Sequence, residues 1–133
     1  ECELAKLRRG QRPAEHARAC LRSVGTCYLR FAEAETGLFR TAFVAPEPLS
    51  GDAVPAATGK SGRNPFELLG AALDRLVAAG VLPRARRANA EYLAWSAVHG
   101  LAMLVIDGPL RGLSPAARRA LERRLLDMVE TGL

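Results

Sequence analysis

The sequence predicts an all-α domain, and three observations carry the prediction. Apolar residues recur at three- and four-residue intervals and almost nowhere alternate, which is the period of helices and not of strands. Pro13, Asn64-Pro65 and Ser114-Pro115 stand where helices start, and Gly80 and Gly108-Pro109 where they stop. Between Leu93 and Ile106 only Ser96 and His99 carry clearly polar side chains, the composition of a helix buried on nearly every side.

In chain order, residues 1–10 are expected to be the tail of a helix that starts upstream, with Lys6, Arg8 and Arg9 near the negative end of its dipole. Pro13 then opens a helix expected to run to Gly37, with His16, Cys20, Val24, Cys27 and Phe31 on one stripe and Leu21 and Tyr28 beside it. A short helical turn, Leu38-Phe39-Arg40-Thr41-Ala42-Phe43, stops before Pro46. Residues 46–63 are rich in Pro, Gly, Ala and Ser without a period, so a loop is expected there.

Asn64-Pro65-Phe66-Glu67 is a capping-box start, and Phe66, Leu69, Leu73, Leu76 and Val77 share one face of the helix that follows. Gly80 ends it, and Arg84-Ala85-Arg86-Arg87 makes a basic connection to Asn89, the expected cap of the next helix, 90–107. Ser114-Pro115 starts the last helix. There Leu121, Leu125, Met128 and Val129 form an apolar band opposite Arg118, Arg119, Arg123 and Arg124, with Arg118–Glu122 and Arg123–Asp127 as expected pairs four residues apart.

The 133 residues, 49% of them hydrophobic and 25% charged, suit one soluble domain with a real core and exclude a disordered chain. No apolar run approaches the ~20 residues of a membrane span. The first residues show neither an initiator Met nor the basic and apolar regions of a signal peptide, and we expect a fragment of a longer protein. Cys2, Cys20 and Cys27 are odd in number, and Cys20 and Cys27 lie about two helical turns apart, too far for a disulfide. A cytoplasmic protein is therefore expected. The charge of +5 comes almost wholly from arginine, and the Arg/Ala/Gly/Leu vocabulary suggests a GC-rich bacterial genome.

Several motifs reduce to simpler readings. Ala57-Thr58-Gly59-Lys60-Ser61 resembles the end of a phosphate-binding loop, but Val54 stands where that pattern requires glycine, and neither strand nor helix flanks it. His16 and Cys20 lie one turn apart, yet only His99 and Cys27 could extend them to a metal site, so core packing is expected and no metal. The arginines have no interleaved aromatics and read as a solvated helix face. The strongest constellation is Trp95 and His99, one turn apart on a face shared with Tyr92 and Met103. His99 must find a hydrogen-bond partner there, and Gly100 removes a side chain so that another helix can come close.

The run Glu91-Tyr92-Leu93-Ala94-Trp95-Ser96-Ala97-Val98-His99-Gly100-Leu101-Ala102 resembles the signature of tetracycline-repressor-type (TetR) C-terminal domains named for their Trp, His and Gly. Upstream, Tyr28-Leu29-Arg30-Phe31-Ala32 followed by Gly37-Leu38-Phe39-Arg40-Thr41-Ala42-Phe43 is similar to the segment where such domains end a long helix and begin a short one. The resemblance implies a regulatory helical bundle that dimerises through its last two long helices, preceded by a helix-turn-helix that is not in this chain. Residues 1–10 would then end the signalling helix, and 11–133 would be the ligand-binding and dimerisation domain.

The expected function is that of an effector-binding domain of a bacterial repressor. An apolar small molecule would sit among Tyr28, Phe31, Phe39, Phe43, Phe66, Trp95, His99 and Met103, with His99 as the polar contact. A homodimer would form over Leu101, Leu104, Leu121, Leu125, Met128 and Val129, and operator DNA would be bound only through the absent domain. The alternative is a helical dimerisation module without a ligand, marked by the lack of a cavity of roughly 300 Å³ near Trp95 and His99. Neither an activated nucleophile nor a carboxylate pair stands out, so no enzyme activity and no cofactor are expected.

Overall fold

A computed structural model describes residues 12–44 and 62–133. These form α1 (Pro13–Ala34), α2 (Thr36–Val44), α3 (Pro65–Ala78), a 3-10 turn (Arg84–Arg86), α4 (Ala90–Ile106) and α5 (Pro115–Gly132). No strand occurs among the described residues. The expected signalling-helix end (1–10), most of the expected loop and the phosphate-loop-like segment 57–61 lie outside them.

Local chemistry sets most boundaries. Asn64 and Glu67 close a reciprocal capping box: the Asn64 side chain accepts from the Glu67 amide, and the Glu67 carboxylate accepts from the Asn64 amide, both at 2.8 Å. Asn64→Ala is expected to cost about 1 kcal/mol of stability, measurable by urea denaturation. The far end of α3 closes on Gly80 at φ +69, the left-handed value a glycine adopts without strain, with Gly80 N–H bonded to Val77 O and Val81 N–H to Leu76 O. Ser114 caps α5 by accepting from the Ala117 amide.

Three local expectations are corrected. The long first helix breaks at Glu35, not Gly37; Glu35 leaves helical geometry, while Thr36 Oγ1 donates to Ala32 O and Glu33 O and so occupies carbonyls at the end of α1. The buried stripe of α1 runs through Ala17, Cys20, Leu21, Gly25, Tyr28, Leu29 and Ala32, which leaves Phe31 41% exposed. Asn89 precedes α4 in a left-handed conformation (φ 62) without a side-chain cap bond, the role of an asparagine that turns the backbone rather than one that caps it.

The core has two halves. One joins Ala17, Cys20 and Leu21 of α1 to Leu69, Ala72, Leu73 and Leu76 of α3 and to Ala90 and Ala94 at the start of α4. The other joins Tyr28, Leu29 and Ala32 of α1 to Phe39 of α2 and to Val98, Leu101, Ala102 and Val105 of α4. Trp95 packs against both. Cys20 is part of this packing, 1% exposed; Arg75 Nη1 donates toward its sulfur at 3.4 Å, and His16 Nε2 lies 3.6 Å from it.

α5 closes the bundle without burying any residue completely. It crosses α1 at Gly25, where a Cβ would stand 2.5 Å from Leu126 Cδ2, so the close helix approach within the subunit is at Gly25. Within the subunit nothing lies within 4 Å of a Cβ built on Gly100. The arginines of α5 also choose other partners than those expected: Arg118 meets Glu33 at 2.6 Å, and Asp127 meets Arg22 at 2.6 Å. A partner on the neighbouring helix replaces the one a turn away.

α4 is not enclosed on every side. Tyr92, Leu93, Met103 and Leu104 are exposed, as is Met128 on α5. No helix among the described residues is long and apolar enough to cross a membrane.

Candidate functional site

Trp95 and His99 project from one face of α4 onto Tyr28 of α1. The Trp95 indole N–H donates to the Tyr28 hydroxyl at 3.0 Å, and that hydroxyl lies 2.9 Å from His99 Nδ1. A polar chain therefore runs Trp95–Tyr28–His99 between two helices, and His99 has the partner its position demanded.

Aromatic rings continue in both directions from this chain. Phe39 stands 5.6 Å from both Tyr28, edge-on at 78°, and His99, and Phe31 follows at 6.4 Å. On the other side Phe66 lies 6.0 Å from Trp95 and 5.5 Å from Tyr92. These centroid spacings are those of favourable aromatic pairs. Residues from α1, α2, α3 and α4 thus meet in one cluster.

Of the expected ligand-contact residues, Tyr28, Phe31, Phe39, Phe66, Trp95 and His99 come together. Met103, one turn beyond His99, is 38% exposed. Phe43 is in α2, but its side chain lies outside the described residues. Tyr92 is the member missing from the expected set, although its position three residues before Trp95 already placed it on the same face. Among the expected dimer residues, Leu104 and Met128 are exposed, while Leu121, Leu125 and Val129 are half-buried. Leu101 is 7% exposed and belongs to the subunit's own core.

The cluster is closely filled. Phe39 is 0% exposed. A void of about 10 Å³ between α1, α4 and α5, lined by Leu29, Leu101 and Val105 among others, has room for about one water. A cleft of about 330 Å³ opens beside Asp74, Val77, Arg84 and Arg87. Neither cavity is lined by Trp95 or His99. Among the described residues, no group of three or more His, Cys, Asp or Glu is placed to hold a metal ion.

Burial controls the titration of both polar rings. It pushes the Tyr28 phenol up to about 12, against a smaller opposite effect of the Trp95 hydrogen bond. It holds His99 below the usual imidazole value of 6.5. The sign follows: below about pH 6.5 the unfolded chain takes up a proton that the folded chain resists, so stability is present above that pH and is lost as pH falls through it. Thermal melts should show a lower midpoint at pH 5 than at pH 8, and His99→Phe should reduce that difference; an unchanged difference would place the titrating group elsewhere.

The family described as "Tetracyclin repressor-like, C-terminal domain" matches residues 21–129, a span that takes in α1 from its third turn, the whole ring cluster and nearly all of α5. No curated protein and no solved structure matches the chain. The all-helical architecture, the order of long and short helices and this match agree, and the chain belongs to the tetracycline-repressor family as one of its C-terminal domains.

Proposed function

We propose that this domain binds an apolar small-molecule effector at the ring cluster and forms a two-fold homodimer through α4 and α5. On this reading it is the regulatory part of a bacterial, cytoplasmic repressor of the Trp-His-Gly subtype, with operator DNA read by an upstream helix-turn-helix. Effector binding would alter the spacing of two recognition helices, which must match half-sites about 34–36 Å apart.

The observation that carries the proposal is the two-sidedness of α4. Trp95 and His99 point inward onto Tyr28, Phe39 and Phe66. Leu93 and Leu104, eleven residues apart and so on one line of the helix, are 64% and 44% exposed on the opposite side. Ala97 and Gly100 lie between them on that line, and the open space at Gly100 is where a helix of a second copy can approach. A lone small domain has no use for such a stripe; two copies would cover it over roughly 1,200–2,000 Å² in total.

Titrating apolar compounds while following the fluorescence of Trp95, the single tryptophan, tests the effector half. Saturable quenching that His99→Phe weakens while the fold persists is the expected result. Equal binding by parent and variant would remove His99 from the site.

The second reading, a dimerisation module without a ligand, is favoured by the mark set for it in the sequence, since neither described cavity is lined by Trp95 or His99, and by the complete burial of Phe39 and the closeness of the rings. It predicts that no apolar compound changes Trp95 fluorescence at any soluble concentration. The effector reading requires the rings to part, with Phe31 and Met103, both at the exposed edge, moving first.

A further inference from the structure

We infer that the effector takes the place of the Phe39 ring: α2 swings out on Glu35, against a latch between Arg40 and Asp107, and the molecule that enters carries a flat apolar ring of phenyl size. The hinge and the latch stand on the geometry alone; the ligand class rests on the ring cluster being the effector site.

Among the described side chains of α2, Phe39 is buried, whereas Leu38, Arg40, Thr41 and Ala42 are exposed. Arg40 reaches across to the end of α4. Its Nε donates to Asp107 Oδ2 at 3.0 Å and its Nη2 to Asp107 Oδ1, a two-point grip on the residue that closes that helix. The grip holds the Asp107 carboxyl below the usual carboxylate range, first through the Arg40 hydrogen bond. At its start, α2 meets α1 through one non-helical residue, Glu35 at φ −123 and ψ 49. A rotation there moves α2 while α1 stays packed, and Thr36 Oγ1, bonded to Ala32 O and Glu33 O, keeps the joint tied.

Phe39 is the plug that this helix carries. Its ring stands 5.6 Å from Tyr28 and from His99 and 6.4 Å from Phe31, with Tyr28 inclined to it at 78° and Phe31 at 62°. Neither cavity reaches Trp95 or His99 while this ring is in place. Once Phe31 and Met103 yield at the rim and α2 withdraws Phe39, the walls left behind are those arranged edge-on to a phenyl ring. A ligand ring in that space recovers the aromatic contacts that Phe39 gives up. Because the open form exposes Phe39, it is the minor state, and apparent affinity is reduced by the fraction that is open. Whatever loosens the latch therefore tightens binding by the same factor.

Amide exchange followed by mass spectrometry tests the latch without any ligand. Asp107→Asn and Arg40→Gln, one from each side of the pair, are each expected to raise the exchange of α2 about threefold, the scale of one exposed ion pair, and to leave α3 unchanged. Unchanged α2 rates in both variants, or an equal rise in α3, overturn the latch.

Propylbenzene and 1,3,5-trimethylbenzene, followed by Trp95 fluorescence, test the ligand class. They are isomers, so they differ in shape and not in the amount of hydrocarbon. Propylbenzene, with its bare ring edge, is expected to bind roughly tenfold more tightly than the ring methylated on three sides, and its affinity is expected to rise in both latch variants by the factor seen in α2 exchange. Equal affinity for the two isomers overturns the ligand class. Propylbenzene binding that ignores the latch variants while α2 exchange responds overturns the replacement of Phe39 and leaves the effector reading intact. Binding of neither isomer overturns the ligand class, while the exchange result stands independently and the wider titration of apolar compounds still decides the effector reading.

Discussion

Leu104→Arg is expected to convert a dimer into a folded monomer. Leu104 is 44% exposed within its own subunit, so a longer polar side chain there disturbs little of the fold. At the centre of an interface the same guanidinium would be buried without a partner, and association should weaken by at least about 2 kcal/mol, roughly thirtyfold. Met128→Glu, at 58% exposure on α5, should act in the same direction. Leu125→Glu is a poorer choice because Leu125 packs against the subunit's own core, so it would damage folding as well as association.

Nor is Arg118→Glu a silent control. Arg118 binds Glu33 at 2.6 Å, and Glu122 beside them is already held above the usual carboxylate range by burial and then by the charge of Glu33. A third carboxylate there would repel both. Arg123→Ala, on the exposed side of α5, is the appropriate control. Sedimentation equilibrium at tens of micromolar decides the matter: a monomeric parent protein refutes the dimer.

Phe39→Ala is expected to be the most destabilising single substitution in the ring cluster, at about 3–5 kcal/mol by urea denaturation. Phe39 is fully buried, anchors α2 to the bundle, and contacts Phe31, Tyr28 and His99 at once. Its removal forfeits burial and leaves a hole that three rings from two other helices can only partly close. Leu38→Ala, on the next residue of the same helix but 62% exposed, should fall within about 0.5 kcal/mol of the parent. A loss below about 1 kcal/mol for Phe39→Ala would mean that α2 does not hold the position described.

What could be read in the sequence was local or periodic. The Asn64–Glu67 box and the Ser114 cap are decided by residues three apart, and the caps formed as expected. The Trp95–His99 face follows from one helical turn, and so does the need of His99 for a partner. That the partner is Tyr28, 71 residues earlier, depends on how α1 crosses α4, which no spacing rule contains. The charge pairs fail in the same way: Glu122 and Asp127 stand in register for Arg118 and Arg123, but Glu33 and Arg22 on α1 come closer. Gly100 shows the same limit, since its missing side chain raised the expectation of a close helix approach, yet within the subunit nothing lies within 4 Å of a Cβ built there.

The contacts between α1 and α5 bear on which part of the domain comes loose first. Arg18 and Arg22 grip Glu130, which is 8% exposed, at 2.7 and 2.5 Å, Arg22 also holds Asp127, and Arg118 returns to Glu33. These ion contacts form a rail along a helix that has no fully buried side chain. Of these pairs, Arg22–Asp127 and Arg118–Glu33 reach solvent, are individually weak and fade with salt, while those at Glu130 are largely shielded; the apolar packing of α3 and α4 on α1 does not fade with salt. In a monomeric variant, the amides of α5 should therefore exchange with deuterated water well before those of α3, and the gap should widen as salt is raised. Pairing of two subunits over α5 would close that route, so the slowest event in the dimer's exchange becomes a concentration-dependent one.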